Sequence, residues 1–142
     1  MRIEESLDLP VDPGTLWPWI STPDGLAKWI GDVERFELRP PGDIAAGSRM
    51  IAHPRRGSPI EATVESAQRP RSLTMRASGL PNDLEVVLGF DVREHGTGSK
   101  LTVSAETELR GLMVFAEKMI ASKARAKLES WTQALRERVA AR

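Results

Sequence analysis

Residues 84–105 read LEVVLGFDVREHGTGSKLTVSA, and this stretch decides how the rest of the chain is read. Leu84, Val86, Leu88, Phe90 and Val92 share one parity, Gly96-Thr97-Gly98 supplies a turn, and Leu101, Val103 and Ala105 answer from a returning strand. Strands of about ten residues in a small domain usually curl around something, and Gly89 lies where such a bend would fall. Directly after this hairpin, Gly111 to Ala140 is continuous helical sequence. Its apolar stripe, Met113, Ile120, Ala124, Leu128, Trp131 and Leu135, steps by three and four as a core-facing helix requires. Leu112, Phe115 and Met119 add a second apolar flank to its early turns, more than one sheet face needs. A sheet that grips this end of the helix, with a cavity beside it, accounts for both features.

Working back from the hairpin, four further strands are separated by glycine and proline. Ile60, Ala62 and Val64 alternate with Glu61, Thr63 and Glu65, and Leu73, Met75 and Ala77 alternate with Thr74 and Arg76. Phe36 and Leu38 alternate with Arg35, Glu37 and Arg39 before Pro40-Pro41-Gly42 ends the run. Ser48 to His53 is also extended, but Met50 and Ala52 compete with Ile51 for the inner face, so its register stays open. At the N-terminus, Ile3, Leu7 and Leu9 share a parity that Glu5 interrupts. Between this strand and the next lie two short helices. Asp12-Pro13 starts the first, which carries Leu16, Trp17 and Ile20; Thr22-Pro23-Asp24 starts the second, which carries Leu26 and Trp29 and closes at Gly31. Pro18 donates no backbone bond and is expected near the first turn of its helix.

Residues 1–142 are therefore expected to form a single α+β domain: a curved seven-stranded antiparallel sheet around a long C-terminal helix, with two short helices after the first strand. The 20 acidic and 20 basic side chains leave a formal charge of zero, which argues against nucleic acid as a partner. The chain has no cysteine, so disulfides, thiolate nucleophiles and cysteine-rich zinc sites are excluded. Tyrosine is absent as well, leaving His53 and His95 as the side chains that titrate near neutrality unaided. The histidines have no paired carboxylate spacing, so neither a metal nor a cofactor is expected. The acidic, alternating N-terminus has the pattern of neither a leader nor a membrane span, and a cytoplasmic location is expected.

The element order resembles that of the START-like superfamily, also called SRPBCC, which includes polyketide cyclases and pollen-allergen-like ligand carriers. Val11-Asp12-Pro13-Gly14-Thr15-Leu16-Trp17 and Ile20-Ser21-Thr22-Pro23-Asp24-Gly25-Leu26-Ala27-Lys28-Trp29 look like that family's two-helix insertion, where a tryptophan early in the first helix and another ending the second are usual. The resemblance implies a helix-grip fold with an internal apolar cavity that carries lipids, hormones or polyketides, and in some members catalyses. It departs from the family pattern at Pro18, and the missing tyrosine excludes any mechanism that needs an aromatic hydroxyl.

Candidate ligand-binding residues are those of inward parity and those of the helix's wide early face: Trp29, Met75, Leu88, Phe90, Val103, Phe115, Met119 and Ile120. Ordinary core packing explains each of them equally well. Candidate catalytic groups are few. Glu5 has inward parity, where desolvation favours a general base, although a strand-edge glutamate commonly reaches solvent or an arginine. Arg49 and His53 lie four apart and share a strand face; an inward pair would hold an oxyanion and move a proton, whereas the adjoining Pro54-Arg55-Arg56-Gly57 reads as an exposed loop. The main expectation is a non-enzymatic carrier of a hydrophobic small molecule. A metal-free polyketide aromatase or cyclase is the alternative, and a surface-acting activator of a chaperone ATPase is a further one. The C-terminal helix is basic, with Lys118, Lys123, Arg125, Lys127, Arg136, Arg138 and Arg142, and suits transient contact with an anionic membrane or a solvated outer face. The oligomeric state is not legible in the sequence.

Overall fold

The structure is a computed structural model and describes residues 1–140. Its strands are β1 (Arg2–Leu9), β2 (Val33–Arg39), β3 (Arg49–Pro54), β4 (Ile60–Gln68), β5 (Ser72–Ser78), β6 (Val86–His95) and β7 (Gly98–Glu106). The helices are α1 (Pro13–Ser21), α2 (Pro23–Ala27) and α3 (Glu117–Ala140). All strand pairs are antiparallel, and the sheet order β1-β7-β6-β5-β4-β3-β2 joins consecutive strands except where the last returns to pair with the first. This is a curled seven-stranded sheet around a C-terminal helix, as the hairpin and the helical stripe require.

The register fixes which parity faces the core. Glu5 lies opposite Val103, Val103 opposite Phe90, and Phe90 opposite Leu73, so one row runs from β1 to β5. The neighbouring rows put Leu7 with Leu101 and Val92, and Ile3 with Ala105, Leu88 and Met75. The ambiguity in β3 is resolved by its partners. Met50 pairs with Leu38 and Ala62 on the inner face, while Arg49, Ile51 and His53 face outward. Ile51 is nevertheless buried, its outer-face partners being the long side chains of Glu37 and Glu61.

Three local expectations need correction. α1 runs through Pro18 instead of starting beside it. The lost donor orphans only the carbonyl of Gly14, which is exposed and open to water. The helical segment from Gly111 divides into a 3₁₀ stretch, Gly111–Ala116, and α3, and its buried positions are Leu128, Thr132, Leu135 and Val139. Met113, Ile120 and Trp131 are only half-buried, because α3 packs mainly on β1 and turns its Ala121–Ala124–Leu128 side inward. Gly89 is not a bulge: a Cβ there would meet the Ser104 hydroxyl at 2.7 Å, so it is a place where neighbouring strands crowd.

The α1–α2 unit locks onto the concave face through tryptophans. Trp17 and Trp19 are buried, and the indole N–H of Trp29 donates to the carbonyl of Trp19 at 2.8 Å. Trp29 also meets Phe90 edge-on, with ring centroids 6.3 Å apart. Thr22 caps α2 through its hydroxyl, which accepts from the amide of Gly25 at 3.0 Å. Gly25 itself is required by the close crossing, since a Cβ there would lie 2.0 Å from the carbonyl oxygen of Pro18. Gly25→Ala is expected to destabilise the fold by about 2–3 kcal/mol or more in chemical denaturation. Gly31→Ala, where a Cβ meets nothing within 4 Å, should be close to neutral.

Candidate functional site

The concave face is apolar over most of its width and covered unevenly. Near α1 and α2, the side chains of Leu7, Leu101, Val92, Leu135 and Val139 are buried together with Trp29, giving a closed end. At the other end, Phe36, Ala52, Ile60, Val86, Leu88 and Ala105 are only half-buried. The 3₁₀ segment and the first turns of α3 stand off from this region. Leu112 is 84%, Phe115 88%, Met119 58% and Val114 53% exposed. Along this part of α3 the residues packed against the core are the small Ala121 and Ala124. The concave face is thus closed at the Trp29 end and only partly covered, as an apolar groove, at the end beside Phe115. A cleft of about 1000 Å³ lies beside Leu112 and Met113 but on the outer side of this end, with Arg76, Asp83, Glu85, Val87, Glu106 and Arg110 among its walls.

Trp29, Met75, Phe90 and Val103 occupy inward positions as expected and are almost fully buried. Leu88 and Ile120 are half-buried at the open part of the groove. Phe115 and Met119 depart from expectation: they form an exposed rim and do not line a closed interior. Helical periodicity says which residues share a face; it does not say whether the sheet reaches far enough to cover that face.

The polar candidates separate by the same register. Glu5 faces inward between Ile3 and Leu7, half-buried. Arg49 and His53 share a face, but it is the convex one. The Arg49 guanidinium donates to Glu61 at 2.9 Å, and His53 Nε2 lies 3.2 Å from Glu37 Oε1. Of the two readings of this pair, the fold agrees with the outward, solvated one. Glu37 also receives Arg39 Nε at 2.7 Å, and Arg39 first, His53 second, hold its carboxyl below the ordinary carboxylate range. His95 is exposed at the hairpin tip, 3.8 Å from Asp8. Among the described residues no group of three or more histidines and acids is placed to hold a metal ion.

Across the sheet from the groove, the convex face carries a second, polar depression of about 570 Å³ over Gly89. Ser6, Ser72, Thr74, Thr102 and Ser104 surround it, and the Ser6 and Thr102 hydroxyls are 2.9 Å apart. The Trp131 cleft between α2 and α3, about 430 Å³, is bordered by Lys28, Asp32 and Arg138. An ion pair between Lys127 and Asp32 ties α3 to the loop after α2.

A curled antiparallel sheet holding a long C-terminal helix defines the helix-grip class of folds. The chain belongs to the polyketide cyclase/dehydrase and lipid transport family, whose model matches residues 1–139. No curated protein matches it by sequence. Solved structures share the fold at low identity. DynU16, a protein of the dynemicin biosynthetic locus, is 15% identical with a TM-score of 0.75; the match covers 96% of this chain but 46% of DynU16. Ara h 8.0201 is 17% identical with a TM-score of 0.70, covering 100% of this chain and 99% of its own. The Aha1 dimer from Colwellia psychrerythraea is 16% identical with a TM-score of 0.65, and 96% of each chain is covered.

Two outcomes follow from the convex placement of Arg49 and His53. Arg49→Ala and His53→Ala should leave the affinity for any groove ligand unchanged in equilibrium titrations. Glu37 has a folded pKa below its unfolded value, so its contribution to stability is present above the unfolded carboxylate range and is lost as pH falls through the folded pKa. Arg39→Ala should raise the Glu37 midpoint in an NMR titration of the side-chain carboxyl and lessen the loss of stability on acidification.

Proposed function

We propose that this protein binds a hydrophobic small molecule, lipid-like or polyketide-like, in the groove between the sheet and α3, and that it acts as a carrier in the cytoplasm. The observation that carries this reading is the mismatch between α3 and the sheet. Four large apolar side chains stand in solvent at one end of an apolar concave face, while the neighbouring turns of α3 offer the core only Ala121 and Ala124. Burying such surface is favourable by roughly 25 cal/mol per Å², so a chain selected for folding alone would close that end. An apolar ligand supplies the missing contact. The family's description as cyclases, dehydrases and lipid transporters agrees with this chemistry.

The rim also suits loading from an anionic membrane. Lys118, Lys123 and Arg125 are exposed, make no ion pair among the described residues, and flank Phe115 and Met119. Apolar insertion and cationic attraction then act on the same segment. No helix among the described residues is long and apolar enough to cross a membrane. A cyclase reading draws less support, because Arg49 and His53 lie on the opposite face of the sheet and leave Glu5 as the single inward polar candidate.

Two measurements test the proposal. A polarity-sensitive apolar dye should bind the wild-type protein in a saturable way and quench its tryptophan emission. Ala124→Phe, which fills the groove, should weaken binding about tenfold or more while the protein stays folded. Binding that is unaffected by Ala124→Phe would reject the groove. In co-sedimentation, vesicles containing anionic lipid should retain the protein and neutral vesicles should not; Lys118→Glu with Lys123→Glu should abolish retention. A chaperone that copurifies in place of an apolar compound would favour the interaction-protein alternative.

A further inference from the structure

Among the described residues Glu5 is the one charged side chain within the concave apolar surface. Its strand neighbours Ile3 and Leu7 are 3% exposed, and its row continues through Val103, Phe90 and Leu73, all buried. The other inward-parity acid, Glu94, is exposed at the hairpin tip. Glu5 is half-buried and makes no hydrogen bond or ion pair among the described residues. The nearby acids behave differently. Glu4 and Glu106 both bond to Arg2, and Glu61, Glu65 and Asp91 each have an arginine at 2.9–3.0 Å.

A carboxylate is an acceptor with about four lone-pair sites and no donor of its own. Withdrawing it from water without a partner opposes folding, and an aliphatic residue at this position would continue the row at no such cost. The groove thus holds one unfilled acceptor on an otherwise apolar wall. We infer that the groove selects apolar molecules that carry a hydrogen-bond donor, an amine or a hydroxyl, with the donor on the Glu5 carboxylate and the carbon skeleton against the half-buried Leu88 and Ala105. Apolar carboxylic acids are selected against, because their anion would face Glu5 in a region of low dielectric. This inference rests on the groove being the binding site, and it adds the ligand's polar end.

The test is displacement of the apolar dye near pH 7.5 by decylamine, decanol and decanoate, each below its micellar range, from the wild type, Glu5→Gln and Glu5→Leu. In the wild type, decylamine and decanol should displace the dye at concentrations about tenfold or more below decanoate. Glu5→Gln, which removes the charge and adds an N–H donor, should lose the advantage of the amine and bring decanoate close to decanol. Glu5→Leu should bring decanoate to parity with decanol while still binding the dye. Its melting temperature should equal or exceed that of the wild type, since an unpartnered carboxylate has been removed. An identical ranking in the wild type and Glu5→Leu overturns the inference and leaves the groove intact. A lowered melting temperature with unchanged ranking assigns Glu5 a structural role. Failure of the dye to bind any of the three proteins rejects the groove, and the inference with it.

Discussion

Trp29 fastens the two parts of the molecule together. Its indole donates to the backbone of α1, its ring edge meets Phe90 in the middle of the sheet, and its side chain is almost wholly buried. One residue thus joins the α1–α2 insertion to the concave wall and blocks that end of the groove. Gly25 permits the joint, because α2 approaches α1 too closely for any side chain. With this end closed by aromatic packing, whatever space the sheet leaves under α3 opens at the other end, beside the 3₁₀ segment.

The sheet then acts as a filter between two environments. Strict alternation sends apolar side chains to the groove and charged ones to the convex face, where they pair across strands, as Arg49 does with Glu61 and Arg76 with Glu65. These exposed pairs contribute modestly to stability and keep a broad outer surface solvated. Glu5 breaks this division on the inner side, and Ile51 breaks it on the outer side. The exceptions differ in kind: Ile51 is covered by neighbouring side chains, whereas Glu5 has no protein partner among the described residues. For that reason the proposed ligand preference turns on Glu5, whereas Ile51 is a matter of packing.

α3 divides its work along its length. Its second half is anchored by Leu128, Leu135 and Val139 and by the ion pair from Lys127 to Asp32. Its first turns carry exposed hydrophobic residues and unpaired cations. A helix fixed at one end and free of core contacts at the other can present its free end to a ligand or a lipid surface without disturbing the closed end. The low identities to DynU16, Ara h 8.0201 and Aha1 indicate that this architecture tolerates wholesale change of side chains. Specificity therefore has to be sought in single residues within the groove.

Much of this was written locally in the chain. Period-two alternation identified the inward sets of β1, β4, β5, β6 and β7, the Asp12-Pro13 and Thr22-Pro23 signals located two short helices, and helical spacing marked the C-terminal element. Each depends on a residue's own neighbours in sequence. The tertiary structure decided the rest. The parity of β3 depended on which strands flank it, so only pairing with β2 and β4 turned Met50 inward and sent Arg49 and His53 to the outer face. The exposure of Phe115 and Met119 depended on where α3 meets β1, a distance no local pattern encodes. Alternation gave Glu5 its inward parity from the sequence alone, but its lack of a partner is a property of everything packed around it, and that was settled only when the chain had folded.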